Sequence, residues 1–473
     1  MTRRDPFSGS PAFATRGVML DISRTKVPTM ATLFGLVDQL AAWRINHLQL
    51  YTEHTFAYAG HEAIWKNASP MTADEMRMLD DYCAARGIEL AANQNSLGHL
   101  HRWLKHPDYL HLAECPDGYT TPWGEKRSGP FSLNPVDPES LTFMAELYDQ
   151  LFPSVRSPLV NVGCDEAFDL GQGASKTACE QRGKGRVYLD YLQQIKKLVE
   201  ARGKTMMFWG DIILNHPELI PELDRTLVAL VWGYEADHPF EEQCAKFAAA
   251  RIPFWVCPGT SCWNSIAGRF TNALDNFAAA AQAGIKHGAS GFLITEWGDN
   301  GHWQTMPFTL LALAAGAVTA WTGRPPDGET LGSMIEDAPS LIKLADVYRV
   351  AGFPMHNTSP AFPLLRFKDP AATLEKWSDE NLRATLEQIE QTRSILTNEE
   401  SSLGADMLAH AVKRGLWLKA GRPAGKSADM ARDIQSWLPA FDRLWLERNR
   451  PGGRDESREP LMLRATEYAE NAS

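Results

Sequence analysis

The stretch "LVNVGCDEAFDLG", residues 159–171, begins as a buried strand and ends in two acids. Apolar and β-branched residues run up to Gly163, and Asp165 and Glu166 follow at once. Burying one carboxylate is costly, and burying two adjacent ones is worse. The pair is therefore either a solvated turn or a feature held in a cleft for chemistry. Parallel sheets gather their chemistry at the C-terminal ends of the strands. The reading of this pair thus depends on whether the rest of the chain builds such a sheet.

Seven further apolar runs match it. They are "GVMLDIS" (17–23), "HLQLYTE" (47–53), "IELAANQ" (88–94), "TMMFWGD" (205–211), "TLVALVWGY" (226–234), "IPFWVCPG" (252–259) and "GFLITEWGD" (291–299). Most are continuous rather than alternating, as expected of strands covered on both faces. Helical patterns separate them. Residues 30–43 carry apolar positions at 3.6 spacing. Residues 72–87 open with Thr72 and Glu75 in capping-box spacing and stop at Gly87. Residues 137–152 place Asp137 as N-cap and Pro138 at the first helical position. Helical runs at 186–201, 240–250 and 271–283 fill later gaps, and "PFTLLALAAGAVTAW" (307–321) follows the eighth run as a buried helix. Eight β-then-α units predict an α/β fold, a (β/α)8 TIM barrel over residues 1–330. The alternative, a doubly wound open sheet, usually has a glycine-rich loop after its first strand; here that turn is "DISRTKVP". Residues 331–473 form a C-terminal helical region, with amphipathic segments at 371–397, 401–420 and 427–449. The stretch "RPGGRDESREP" (450–460) is expected to be polar and mobile.

Composition narrows the function. With 44% hydrophobic and 22% charged residues, the 473-residue chain is an ordinary globular protein, long enough for a large barrel and an appendage. A net charge of -11 argues against a nucleic-acid partner. "MTRRDPFSGSPAF" has no apolar signal-peptide core, and no apolar run reaches membrane-spanning length. The seven cysteines are scattered without C-x-x-C spacing, which predicts reduced thiols and a cytoplasmic protein. Cys164 is a poor nucleophile candidate, because neighbouring carboxylates raise a thiol pKa.

The strand ends carry the candidate site residues. In chain order they are Arg16 and Asp21; Glu53, His54 and Tyr58; Asn93, Asn95 and His99; Asp165 and Glu166; Trp209 and Asp211; Trp232 and Tyr234; Trp263 and Asn264; and Glu296, Trp297, Asp299 and Asn300. Carboxylates and tryptophans dominate. Aromatic faces stack on the C–H faces of sugars, amides and carboxylates bind hydroxyls, and carboxylates perform glycosidic chemistry. There is no phosphate cradle. His99, His101 and His106 match no metal motif, so neither a metal nor another cofactor is expected. Blander roles compete: Trp209 and Trp232 as core, Asp21 and Asp211 as helix caps, Arg16 at the barrel's lower rim, and the acid pair as a solvated turn.

"RGVMLDISR", the "LGH" after the third run, "GCDE", "FWGD" and "EWGD" resemble glycoside hydrolase family 20, the β-N-acetylhexosaminidases. Their order covers roughly residues 15–325, and "YTEHTFAY" and "NQNSLGHLHRWLKHPDY" resemble a divergent bacterial branch near hexosaminidase D. The resemblance implies an exo-acting, retaining enzyme without a protein nucleophile. The substrate's 2-acetamido oxygen attacks C1 of a terminal GlcNAc or GalNAc. Glu166 would be general acid and then base, and Asp165 would hold the acetamido N–H. Arg16 and Asp299 would bind ring hydroxyls, and Trp209, Trp232 and Trp297 would wall the pocket. The family's tyrosine after strand seven is replaced by "TSCWNS", leaving Tyr234 or Asn264 for its role. The usual N-terminal accessory domain is not expected, so the C-terminal helices either cover the barrel or build a homodimer. Two rivals stand beside this reading. One is a glycosidase for another sugar, with Glu296 or Glu53 as direct nucleophile; the other is a non-catalytic sugar-binding barrel.

Overall fold

The structure, a computed structural model, describes residues 5–472; the extreme residues of the N-terminal stretch read above lie outside them. Its strands are β1 (Thr15–Asp21), β2 (His47–Tyr51), β3 (Glu89–Asn93), β4 (Gly118–Thr120), β5 (Lys126–Ser128), β6 (Leu159–Asn161), β7 (Thr205–Trp209), β8 (Val228–Trp232), β9 (Phe254–Cys257) and β10 (Gly291–Glu296). All but β4 and β5 close into a parallel barrel, each pairing with its sequence neighbours and β10 returning to β1. The eight apolar runs are the eight barrel strands. The short β4–β5 pair is an antiparallel hairpin inserted between β3 and β6.

Continuous apolar runs suit this barrel because both strand faces are dry. Val18, Leu48, Val160, Phe208 and Ile294 pack outward under the helices. Met19, Tyr51, Met207, Trp209, Leu230, Trp255, Leu293 and Trp297 fill the interior. Part of the interior is polar: Gln49 Oε1 accepts from Asn93 Nδ2 and Asn161 Nδ2, both at 3.0 Å.

The expected helices form, except that 371–397 divides into Ala371–Leu374 and Asp379–Arg393. Thr72 and Glu75 make the reciprocal capping box of Ala73–Ala84, and Asp137 caps Pro138–Leu151. Helices Glu399–Lys419 and Ala424–Arg448 lie over the seam where the first and last β/α units meet. There Thr29 N donates to Arg448 O at 2.9 Å and Thr305 Oγ1 to Glu400 O at 3.0 Å.

The end of the chain differs from expectation. Residues 450–453 lie against the barrel loops, and Arg454–Ala472 is a helix. Arg450 donates to Pro70 O at 2.7 Å and to Glu75 Oε1 at 2.8 Å. Leu461, Ala465 and Tyr468 are buried in one helical stripe, and the Tyr468 hydroxyl meets His410 Nε2 at 3.0 Å. The stripe is thin among charged residues, so composition concealed it.

Arg16 also differs. It stands near the start of β1, at the opposite end of the barrel from Asp165. Its guanidinium donates to Phe13 O (2.8 Å), Ala14 O (2.9 Å) and Arg44 O (2.8 Å) and lies over Trp321. The lower-rim reading was correct, with backbone carbonyls in place of water. Arg16→Met removes the donor to three carbonyls at once and is expected to lower the unfolding free energy by about 1–3 kcal/mol, measured by urea unfolding.

Candidate active site

The acid pair sits where β6 stops and the chain turns sharply. Gly163, Cys164 and Glu166 all have left-handed φ, at 65°, 65° and 48°. Such a cluster away from glycine is strained and must be held by its surroundings. Asn95 supplies much of that hold: its Oδ1 accepts from Cys164 N at 3.1 Å, and its Nδ2 donates to the Tyr51 hydroxyl at 3.0 Å. Gly163 packs so closely on Asn95 that a Cβ would collide with it. Tyr188 donates to Cys164 O at 3.0 Å, and Glu166 N donates to Asp211 Oδ2 at 3.0 Å. The turn brings both acids to one cleft, which a straight strand would not do.

The cleft has a volume of about 370 Å³, within the usual range for small-ligand sites. Trp209, Trp232, Tyr234, Trp263 and Trp297 form its walls, and Asp299 and His99 line it beside the pair. Trp297 Nε1 donates to the Tyr234 hydroxyl at 2.8 Å, and Thr295 also shares a hydrogen bond with that hydroxyl. Trp263 Nε1 donates to Asn357 Oδ1 at 2.7 Å. Three polar atoms in this cleft are buried without a hydrogen-bond partner among the described residues: His99 Nε2, Asp165 Oδ1 and Trp209 Nε1.

Charge is distributed over more than the pair. His99 Nε2 lies 3.3 Å from Asp165 Oδ2 and 3.2 Å from Glu166 Oε2. Burial opposes a charge on His99, but Asp165 and Glu166 outweigh it and lift the imidazole to about 10. Burial would likewise raise Asp165, but the His99 cation outweighs it and holds Asp165 below the ordinary aspartate range. The carboxyl that crowding lifts is Asp211. Loss of water and the charges of Asp165 and Glu166 raise it to about 8, while it accepts from Glu166 N and from Trp232 Nε1 at 3.2 Å. The expected division of charge within one pair is thus spread over three acids and an imidazolium. His99, Asp165 and Glu166 bring three ligand-type atoms within 4.8 Å of one another. His99 Nε2 faces both acids, and its Nδ1 faces the Arg24 guanidinium at 3.5 Å.

The arginine of this cleft is Arg24, which the strand-end inventory omitted in favour of Arg16. Arg24 Nη1 pairs with Asp21 Oδ2 at 2.9 Å, and its Nε lies 3.2 Å from Glu53 Oε1 and 3.9 Å from Asp299 Oδ1. Its guanidinium also lies over Tyr51 and Trp297, at 4.7 and 4.9 Å. Asp21 accepts from Gly298 N at 3.0 Å, so it ties the end of β1 to the end of β10. Neither Asp21 nor Asp211 is a helix cap.

Other expected site residues stand outside the cleft. Glu53 is buried behind Arg24 and accepts from the Tyr51 hydroxyl at 2.9 Å. Asn95 is buried scaffolding beneath the pair. His54 lines a neighbouring cavity of about 580 Å³. Asn264 is tied to Asn357 O and Asn300 on the rim. Glu296 is fully buried, accepting from Thr260, from Gln304 Nε2 at 2.9 Å and from Thr309 Oγ1 at 2.8 Å. Glu235 and Asn357 were missed although both line the cleft. Asn357 N donates to Glu235 Oε1 at 2.8 Å, a contact between distant loops that no local pattern announces. The seven cysteines are free and buried. Burial, followed by Asp165 and Asp211, pushes the Cys164 thiol well up, as expected of an unreactive one.

A closed parallel barrel with acids and tryptophans at its C-terminal mouth suits the binding and chemistry of a sugar. Residues 13–261, more than half the chain, match the model "Glycosyl hydrolase family 20, catalytic domain". The chain belongs to that family. It is 27% identical over 243 residues to human hexosaminidase D, covering 49% of this chain and 47% of that protein. It is 24% identical over 261 residues to the cat β-hexosaminidase subunit beta, covering 52% and 46%. The chain thus spans about half the length of these relatives. Its fold matches the chitobiase of Flavobacterium johnsoniae with a TM-score of 0.55 at 16% identity, covering 90% of this chain and 75% of that one. No helix among the described residues is long and apolar enough to cross a membrane.

Asp211 gives the site a pH signature. A carboxyl lifted to about 8 in the fold favours folding most below about pH 4, where it is protonated in both states, and this contribution is lost as pH rises through 8. Asparagine cannot titrate. The melting temperature of Asp211→Asn minus that of the unaltered protein should therefore increase from about pH 5 to pH 9; a flat difference would show that Asp211 does not titrate in this range.

Proposed function

We propose that the protein is an exo-acting, retaining β-N-acetylhexosaminidase that removes terminal GlcNAc or GalNAc by substrate-assisted catalysis. The observation that carries this reading is the buried, unpartnered Asp165 Oδ1 beside Glu166, in a cleft walled by tryptophans and by the Tyr234 hydroxyl. An acetamido group would bring its N–H to the unpartnered Asp165 oxygen and its carbonyl oxygen to the Tyr234 hydroxyl. Tyr234 then takes the role of the tyrosine missing after β9. The curated relatives named above are hexosaminidases.

Glu166, partly exposed, gives its proton to the glycosidic oxygen while the acetamido carbonyl oxygen bonds to C1. The aglycone leaves with that proton, and an oxazolinium ion remains. Glu166, now a carboxylate, takes a proton from the water that adds to C1 and reopens the ring. Asp165, kept ionised by the His99 cation, accepts the acetamido N–H and offsets the positive charge. Arg24 and Asp299, which line the cleft beside the acid pair, bind ring hydroxyls. The direct-nucleophile alternative draws little support from Glu296 and Glu53. Glu296 is saturated by three hydrogen bonds, Glu53 is paired with Arg24, and neither lines the cleft.

A panel of aryl glycosides tests the substrate class: aryl β-GlcNAc or β-GalNAc should be cleaved and aryl β-glucose ignored. Glu166→Gln should lose about 10²–10⁴-fold on poor leaving groups and far less on an activated phenol, because the latter needs little protonation; equal losses would remove Glu166 as the acid.

A thiazoline sugar that mimics the bicyclic intermediate should inhibit about 10²-fold or more better than free GlcNAc, and Asp165→Asn should largely abolish that gain. Weak thiazoline inhibition, together with a 2-fluoro sugar found attached to a carboxylate by mass spectrometry, would overturn the substrate-assisted mechanism.

A further inference from the structure

The hairpin β4–β5 has no part in the barrel, yet it carries the most exposed tryptophan among the exposed large hydrophobic residues: Trp123 has 63% of its surface open to solvent. An indole left so open at a hairpin tip is costly in water. Trp123 is not isolated. Its ring meets Phe168 at 5.3 Å edge to face, and Phe168 stacks on Phe131 at 5.8 Å, with planes 12° apart. Tyr119 lies 5.5 Å from Phe131 on the same hairpin. Phe131 in turn meets the His99 ring at 4.9 Å, and His99 Nε2 is 3.2 Å from Glu166. A continuous line of rings therefore runs from the proton donor out to the hairpin tip.

The line is held in place. Gln172 exchanges two hydrogen bonds with Thr120, both at 2.9 Å, and donates to Phe168 O at 2.8 Å, so it fastens the hairpin to the loop that carries Glu166. Glu114 accepts from the amides of Gly171, Gly173 and Ser175 and fixes that loop from beneath.

We infer that these rings form an acceptor subsite that binds the leaving sugar of a β-linked N-acetylhexosamine oligosaccharide. The inference rests on the hydrolase reading above and goes beyond it by naming the aglycone. Two arguments support it. The leaving group hangs from the oxygen that Glu166 protonates, so it departs on the Glu166 side of the cleft, where this line begins. Partly exposed aromatic faces match the C–H faces of a sugar ring and not an ionic aglycone. Trp123 lies farthest out and takes the second leaving sugar, while Phe131 and Phe168 take the first.

The test compares kcat/KM for a β-1,4-linked GlcNAc trimer with that for β-GlcNAc azide, whose leaving group is too small to touch the rings. Trp123→Ala should lower the trimer-to-azide ratio by about 3- to 10-fold, the size of one aromatic contact, and Trp123→Tyr should restore most of it. An unchanged ratio, including equal loss on both substrates, overturns the subsite. Turnover of the azide by the unaltered protein tests the hydrolase reading separately. If no turnover occurs, calorimetry reads the subsite directly. Trp123→Ala should weaken trimer binding relative to GlcNAc, and equal effects on the two ligands would overturn it.

Discussion

The site depends on one strained turn. Gly163, Cys164 and Glu166 take left-handed backbone conformations within four residues, and only a saturated surrounding keeps them there. The Asn95 side chain, the Tyr188 hydroxyl and the Asp211 carboxyl each bind a backbone group of this turn. They come from the units of β3, β6 and β7, three neighbouring strands, so these strands must pair before the turn is complete. The position of Asp165 and Glu166 is a property of these three paired units and not of the local sequence "GCDE". The aromatic line through Phe168 inherits the same dependence, because Phe168 follows Glu166 by two residues.

The electrostatics follow from that crowding. Asp165, Glu166 and Asp211 cannot all be ionised in one small region without compensation. The His99 cation stabilises the charge of Asp165, and the proton taken up by crowding resides on Asp211 near neutral pH. Arg24 does similar work on the far wall for Asp21, Glu53 and Asp299. Two cations thus serve five acids, and the sixth, Asp211, takes up a proton instead. The site is a balanced set in which removing one cation leaves buried charge exposed to its like.

The barrel was legible because each strand is a short apolar run closed by a turn, and because helix ends such as Thr72–Glu75 and Asp137–Pro138 are encoded within a few residues. The acid pair and the tryptophans were legible because they stand at strand ends. Arg16 was misplaced although the same rule points to Arg24: β1 starts at Thr15, so Arg16 belongs to the lower rim and the arginine after Asp21 belongs to the mouth. Asn95, Glu53 and Glu296 were assigned to the substrate side because sequence does not separate a residue that faces the cleft from one that braces it. Glu235, Asn357 and the helix Arg454–Ala472 were missed because their partners lie far off in the chain.

The anchorage of Arg450 has a kinetic meaning. Its guanidinium reaches Pro28 O, a contact between residues 422 positions apart, and Pro70 O, 380 apart. Contacts of such separation are slow to form, because the chain must first lose the freedom of a very long loop. During synthesis every strand of the barrel emerges before Arg450 does. The loops after β1 and β2 therefore wait, unfastened, until nearly all of this sequence has been made. Aggregation during that interval is restrained by the barrel itself, since closure of β10 on β1 removes the sheet edges without help from the later helices.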